Sequence, residues 1–162
     1  MKTTTSAGRV GKALAQQYTF PIVKLSYTRE PGQAFNLKLT SSRECYEVLN
    51  PLFADCMDHH EEFRIILVNR RNLVIGTHLV GQGGLTATVA DVQIILQAAI
   101  LSNCTSIVLA HNHPSGNLQP SKADVDLTER CKYVLKFMGL DLLDHLILTS
   151  EGYYSFGDNG IL

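Results

Sequence analysis

Apolar and polar residues alternate along this chain with two different periods, and the places where the period changes mark its elements. The segment "YTFPIVKLSYT" (18–28) is rich in β-branched and aromatic residues and predicts a strand. "REPGQA" (29–34) supplies Pro-Gly for a turn, and "FNLKLT" (35–40) alternates as the half-buried partner of a hairpin. From Ser41 the period lengthens. Cys45, Val48, Leu49 and Leu52 follow helical spacing, Glu44 stands three residues after Ser41 as in a capping box, and Pro51 disturbs the end of that helix. Two apolar strands follow, "EFRIILVN" (62–69) and "LVIGTHLVG" (73–81), joined by the polar turn "RRN".

The second of these strands runs into "GQGG", and a helix starts near residues 88–91 with Val92, Ile95 and Ala99 on its apolar face. "TSIVLA" (105–110) is almost continuously apolar, as expected of a strand covered on both faces. Leu127, Cys131, Val134, Leu135 and Met138 recur at the spacing of a last helix, with Gly139 placed to cap its end. "LDLLDHLILTS" (140–150) and "GYYSF" (152–156) predict two final strands. The order β-β-α-β-β-α-β-α-β-β makes the fold class α/β, a mixed β-sheet sandwiched by helices. There is no internal repeat and no glycine-rich phosphate loop.

Composition narrows this picture. A length of 162 residues with 45% hydrophobic residues suits one domain with its own core. A formal net charge of −1 excludes a protein that binds polyanions by bulk charge. The charge is uneven, because residues 1–40 carry Lys2, Arg9, Lys12, Lys24, Arg29 and Lys38 against Glu30 alone, a local +5. We therefore divide the chain into a basic, polar lead with a hairpin extension (1–40), its opening stretch expected to be disordered, and a main domain (41–162). The basic region suits contact with DNA or an acidic partner, although spread-out charges are also what an ordinary solvated arm carries. Cys45, Cys56, Cys104 and Cys131 form no C-x-x-C pair, and Cys104 and Cys131 fall among apolar positions as small core residues. With no apolar signal segment at the start and no run near the length of a membrane span, the expected compartment is reducing and cytoplasmic.

The chemistry concentrates in "HNHPSGNLQPSKAD" (111–124). Side chains alternate along a strand, so His111 and His113 point the same way if the "SIVLA" strand continues through them. Pro114 and Gly116 then turn the chain, and Asp124 falls in the first turn of the next helix. Two histidines and an aspartate are a ligand set for zinc that leaves a fourth position open, as in a catalytic site. The residues alone also admit a plainer reading, in which Ser121 and Asp124 are the capping box of a helix and the histidines only hydrogen-bond.

The spacing of His111, His113, Ser121 and Asp124 resembles the JAMM metalloprotease motif. The longer string "AHNHPSGNLQPSKAD", with Glu61-x-Phe63, "LLDHLI" (142–147) and "YSFGDNG" (154–160), resembles the RadC family over about residues 40–162. These are bacterial proteins long labelled as DNA repair proteins and built around a JAMM-like domain. The resemblance implies a JAB/MPN, cytidine-deaminase-like architecture in which His111, His113 and Asp124 hold Zn2+. It gives Ser121 the developing oxyanion or the orientation of the attacking water, and Glu61 the role of general base. Glu62 is the rival on the opposite face, and a β-bulge would exchange the two. His59 and His60 read as surface residues. His145 reads as a hydrogen-bonded core histidine or as a group beside the metal. Two departures stand out: the first 40 residues do not resemble the helix-hairpin-helix-like region of longer RadC proteins, and "DVQI" (91–94) replaces the family's usual Pro-Arg-Glu. The chain looks like the short, single-domain members.

Three functional classes follow. The first is a zinc-dependent hydrolase of peptide or isopeptide bonds, acting on an unidentified peptide or protein. The second is a DNA repair or recombination protein that uses the domain for binding. The third is a binding module without catalysis, against which the complete ligand set argues.

Overall fold

A computed structural model describes residues 36–83 and 90–162. The polar lead, the expected strand at 18–28 and its turn lie outside the described residues. Of the expected partner strand at 35–40, the described residues 36–40 contribute one bridge, Lys38 to Leu73, with Leu39 N–H donating to Asn72 O (2.9 Å) and Val74 N–H to Leu37 O (2.9 Å). Three residues on from Lys38, Ser41 already caps a helix.

That helix, α1 (Ser42–Leu49), begins where Ser41 Oγ accepts from Glu44 N–H, and it buries Cys45 and Leu49. It passes into a 3-10 turn, Asn50–Phe53, with Pro51 in its first turn, where a missing N–H costs little. α2 (Val92–Ser102) is capped by Asp91, which accepts from Gln93 N–H, and ends at Asn103 in the left-handed region. α3 (Lys122–Phe137) buries Thr128, Cys131 and Leu135. It ends as expected at Gly139, whose φ of 74° permits Gly139 N–H to bond Lys136 O and Leu140 N–H to bond Leu135 O. Met138, expected on the buried face, stands at the C-cap and is exposed, because the helix stops before it completes another turn.

Among the described residues five strands form one mixed sheet: β1 (Glu62–Val68), β2 (Val74–Gln82), β3 (Ser106–Asn112), β4 (Asp141–Thr149) and β5 (Gly152–Ser155), in the order β2-β1-β3-β4-β5. Only β3 and β4 are parallel, joined by α3 as the crossover. β3 is central and all seven of its residues are buried. Ile66, Val68, Val108, Ala110, Leu146 and Leu148 pack with Cys45, Leu49 and Phe53 on the α1 face. Phe63, Ile65, Leu67, Ile107 and Leu109 pack with Ile95, Ala99, Cys131 and Leu135 on the α2–α3 face. Each fully buried Ile or Leu here contributes about 1.5–3 kcal/mol. The fold is therefore α/β, a mixed sheet with helices on both faces. Its alternation delivers His111, next in parity after Ile107 and Leu109, to the α3 side.

Candidate metal centre

His111 is the penultimate residue of β3, and His113 lies just beyond the strand end, where its N–H still bonds Leu148 O (2.9 Å). Gly116, at φ 77°, closes a turn onto His113 O and lets the loop bring α3 back over the strand end. Ser121 caps α3 by accepting from Asp124 N–H (3.2 Å), and Asp124 Oδ2 accepts from Ser121 N–H (2.7 Å), a complete capping box. The cap uses the serine oxygen as acceptor and leaves its hydroxyl proton to be donated elsewhere.

The cap and the metal set coexist. His111 Nε2 and His113 Nε2 are 2.9 Å apart, Asp124 Oδ1 is 3.2 Å from the first, and Oδ2 is 3.6 Å from the second. One ligand atom from each residue falls within 4.8 Å of the others.

Counting protons shows what this cluster can hold. Thr128 Oγ1 lies 2.6 Å from the carbonyl of Asp124, which can only accept, so the threonine gives its proton there. It must then accept from His145 Nδ1–H (2.6 Å). His145 is wholly buried, and burial above all drives its pKa well below the usual value, so it is neutral. Its Nε2 lone pair accepts from His111 Nδ1–H (2.9 Å), which leaves His111 Nε2 bare towards the site. His113 Nδ1–H donates to Asn117 O (2.6 Å), which makes its Nε2 the inward atom too. Phe63 stacks on His111 and Phe156 on His145, holding both rings.

Two inward nitrogens and a carboxylate need a cation among them. Without a metal that cation is a proton: the bond to Asp124 raises the pKa of His113 above its ordinary value, against burial. Burial opposes the charge on Asp124, but its contacts with the rings of His111 and His113 and with Ser121 prevail and hold its carboxyl far below the carboxylate range. The donor set fits a divalent metal of the imidazole- and carboxylate-binding kind.

The two glutamates separate. Pairing of β1 with β3 runs from Phe63–His111 to Val68–Ser106 without a shift, so no bulge intervenes there. Glu62 therefore turns to the α1 face, where its carboxylate meets Arg64, Gln82 and His60. Glu61 directly precedes β1, and its charge adds, after Asp124 and Asn117, to the raised pKa of His113.

Two residues escaped the sequence reading. Thr128 is one helical turn beyond Asp124, a buried hydroxyl on an otherwise apolar face. Asn112, between the two histidines, points to the other face and is fully buried. Its Nδ2 lies within 3.1 Å of the carbonyls of Cys56, Met57 and His60, and its Oδ1 accepts from Glu62 N–H (2.8 Å). It thus fixes the chain that carries Glu61. All four cysteines are free and buried. Of the basic region's six cationic residues only Lys38, exposed, is described. No described helix is long and apolar enough to cross a membrane.

Comparison with known proteins places this geometry in a family. The model of the RadC-like JAB domain matches residues 39–161. The chain is 37% identical over 124 residues to a UPF0758 protein of Flavobacterium johnsoniae, covering 76% of this chain and 53% of that protein. It is 38% identical over 125 residues to one of Porphyromonas gingivalis, covering 76% and 54%. A third, from Pelodictyon phaeoclathratiforme, is 31% identical over 153 residues, covering 94% and 68%. The chain thus spans about half the length of the first two relatives. With its match to the family model over three quarters of its length, the chain belongs to the RadC family, whose domain is RadC-like JAB.

Proposed function

We propose that this domain is a zinc-dependent hydrolase of amide bonds, in peptide or isopeptide linkage. The observation that carries the reading is the convergence of His111 Nε2, His113 Nε2 and Asp124 on one point, with both imidazole tautomers fixed by buried or backbone acceptors. His111, His113 and Asp124 would hold the ion. When bound, zinc supplies a Lewis acid that polarises a carbonyl and brings the pKa of water from about 15.7 towards 7.

The remaining chemistry belongs to the chain. Glu61 takes the proton of the attacking water and passes it to the leaving amine. Ser121, exposed at the helix start, donates its free hydroxyl proton to the oxygen that becomes negative. Asn112 keeps Glu61 in place by tying the preceding loop to β3.

The test is a panel of peptide and isopeptide-linked probes with zinc-loaded protein. Glu61→Gln should abolish turnover while keeping the metal, whereas Glu62→Gln should leave a measurable rate. Full turnover by Glu61→Gln would remove the assignment of the base. Absence of hydrolysis across the panel by protein with stoichiometric zinc would favour the binding readings.

A further inference from the structure

A second group of metal-binding side chains lies on the α1 face, behind the centre just described. Cys56 Sγ, His60 Nε2 or Nδ1 and a Glu62 carboxylate oxygen fall within 4.8 Å of one another. Cys56 and Glu62 are buried and His60 is half-buried, so the group is largely shielded and not a solvated cluster. We propose that Cys56, His60 and Glu62 form a separate site for a divalent metal of borderline softness, zinc or its analogues. The site is distinct from His111, His113 and Asp124, and the proposal goes beyond the hydrolytic reading.

The case starts from the carboxylate. Arg64 takes one oxygen of Glu62 through Nε (2.8 Å) and Nη2 (2.6 Å), which keeps the group ionised and fixes its plane. The other oxygen, Oε1, faces His60 Nε2 (3.3 Å) and Gln82 Nε2 (2.7 Å). His60 Nδ1 lies 3.0 Å from His59 Nδ1, so the two rings share one proton. If His59 accepts, His60 Nε2 presents a lone pair to Glu62 Oε1 and Cys56. That tautomer is unfavourable beside a carboxylate alone and favourable with a cation between them.

The thiol completes the set. Cys56 Sγ donates to Phe53 O (3.4 Å) and also lies against the Glu62 carboxylate. A metal replaces that thiol proton and turns a thiolate–carboxylate repulsion into shared coordination. Thiolate, imidazole and one carboxylate are ligands for zinc or cobalt; calcium and magnesium prefer oxygen alone.

The position gives the site a consequence. Asn112 binds the backbone carbonyls of Cys56, Met57 and His60 and the N–H of Glu62, so the metal would clamp the same loop from its side-chain side. Glu61 stands in sequence between two of the three ligands, His60 and Glu62, and loading would stiffen the segment that carries it.

The experiment uses the full chain with Asp124→Ala, which removes the first centre, titrated with Co2+. Expected are one bound equivalent, a near-ultraviolet sulfur-to-cobalt charge-transfer band and a rise in thermal midpoint. Adding Cys56→Ser should erase the band. Adding His60→Ala, which leaves the core untouched, should weaken Co2+ binding by at least about 10-fold. A folded Asp124→Ala protein that shows no thiolate band at saturating Co2+ overturns the proposal. So does a band that survives Cys56→Ser, which would assign it to another cysteine. Neither result touches the assignment of His111, His113 and Asp124, which is read from the parent protein.

Discussion

Two helices of this protein begin with the same device. α1 starts at Ser41 with Glu44 three residues on, and α3 starts at Ser121 with Asp124 three residues on. In both, the serine oxygen accepts the N–H of the acidic residue, at 3.3 and 3.2 Å. In both, the carboxylate bends back over the helix start: Glu44 to the N–H and hydroxyl of Thr40, Asp124 to the N–H of Ser121. What differs is the opposite wall. Beside the first cap lies a cavity bordered by Asp144 and Asp158, with no cationic side chain among the described residues that line it. Across from the second stand His111 and His113. A local motif sets the backbone, and a strand from elsewhere decides whether its carboxylate acquires chemistry.

The sharpest way to break this comparison is to remove the two carboxylates in turn. Asp124→Ala should lower zinc affinity at the His111–His113 site by more than about 100-fold, or about 2.7 kcal/mol. Glu44→Ala should leave it unchanged and cost about 1 kcal/mol of stability or less. Metal competition titrations and urea unfolding read the two effects. Equal zinc affinity in the Asp124→Ala protein would make its helix start no different from that of α1.

A smaller effect should come from the wiring behind the second cap. Thr128→Val keeps the shape of the side chain and removes the acceptor that holds His145 Nδ1–H. His145 then prefers its proton on Nε2, facing His111, and His111 must shift its own proton to the metal-facing nitrogen. Zinc affinity should fall about 10- to 100-fold. The nitrogen-15 spectrum of apo protein should show the His111 and His145 tautomers exchanged. Unchanged affinity and spectra would mean that the tautomers are set by something other than this chain of hydrogen bonds.

Legibility in the sequence followed distance along the chain. The helices, the strands of the main domain and the Schellman end at Gly139 rest on periods and caps within a few residues, and they appear as expected. His111, His113, Ser121 and Asp124 are also local, so their spacing is legible without any strand pairing. That Glu62 turns to the α1 face depends on β1 pairing with β3 without a bulge, and that register joins residues some 50 apart. Thr128 and Asn112 were invisible for the same reason. The first matters through His145, 17 residues on, and the second through Cys56 and His60, more than 50 residues back. A polar residue on a predicted buried face was the available signal in both cases.

The smallest prediction returns to the serines themselves. Ser41→Ala and Ser121→Ala each remove one N-cap, and each should destabilise the fold by about 1 kcal/mol, read from the urea midpoint at constant slope. As helix caps they are equivalent, so stability alone cannot tell them apart. Catalysis should. If Ser121 also donates to the developing oxyanion, Ser121→Ala loses roughly 100- to 1,000-fold in kcat with little change in KM, while Ser41→Ala keeps its rate. Ser121→Thr preserves both the cap and the hydroxyl and should recover most of the rate. If Ser121→Ala matched Ser41→Ala in kcat as well as in stability, the serine of the second helix would be a cap and nothing more. The difference between the two helix starts would then rest on Asp124 alone.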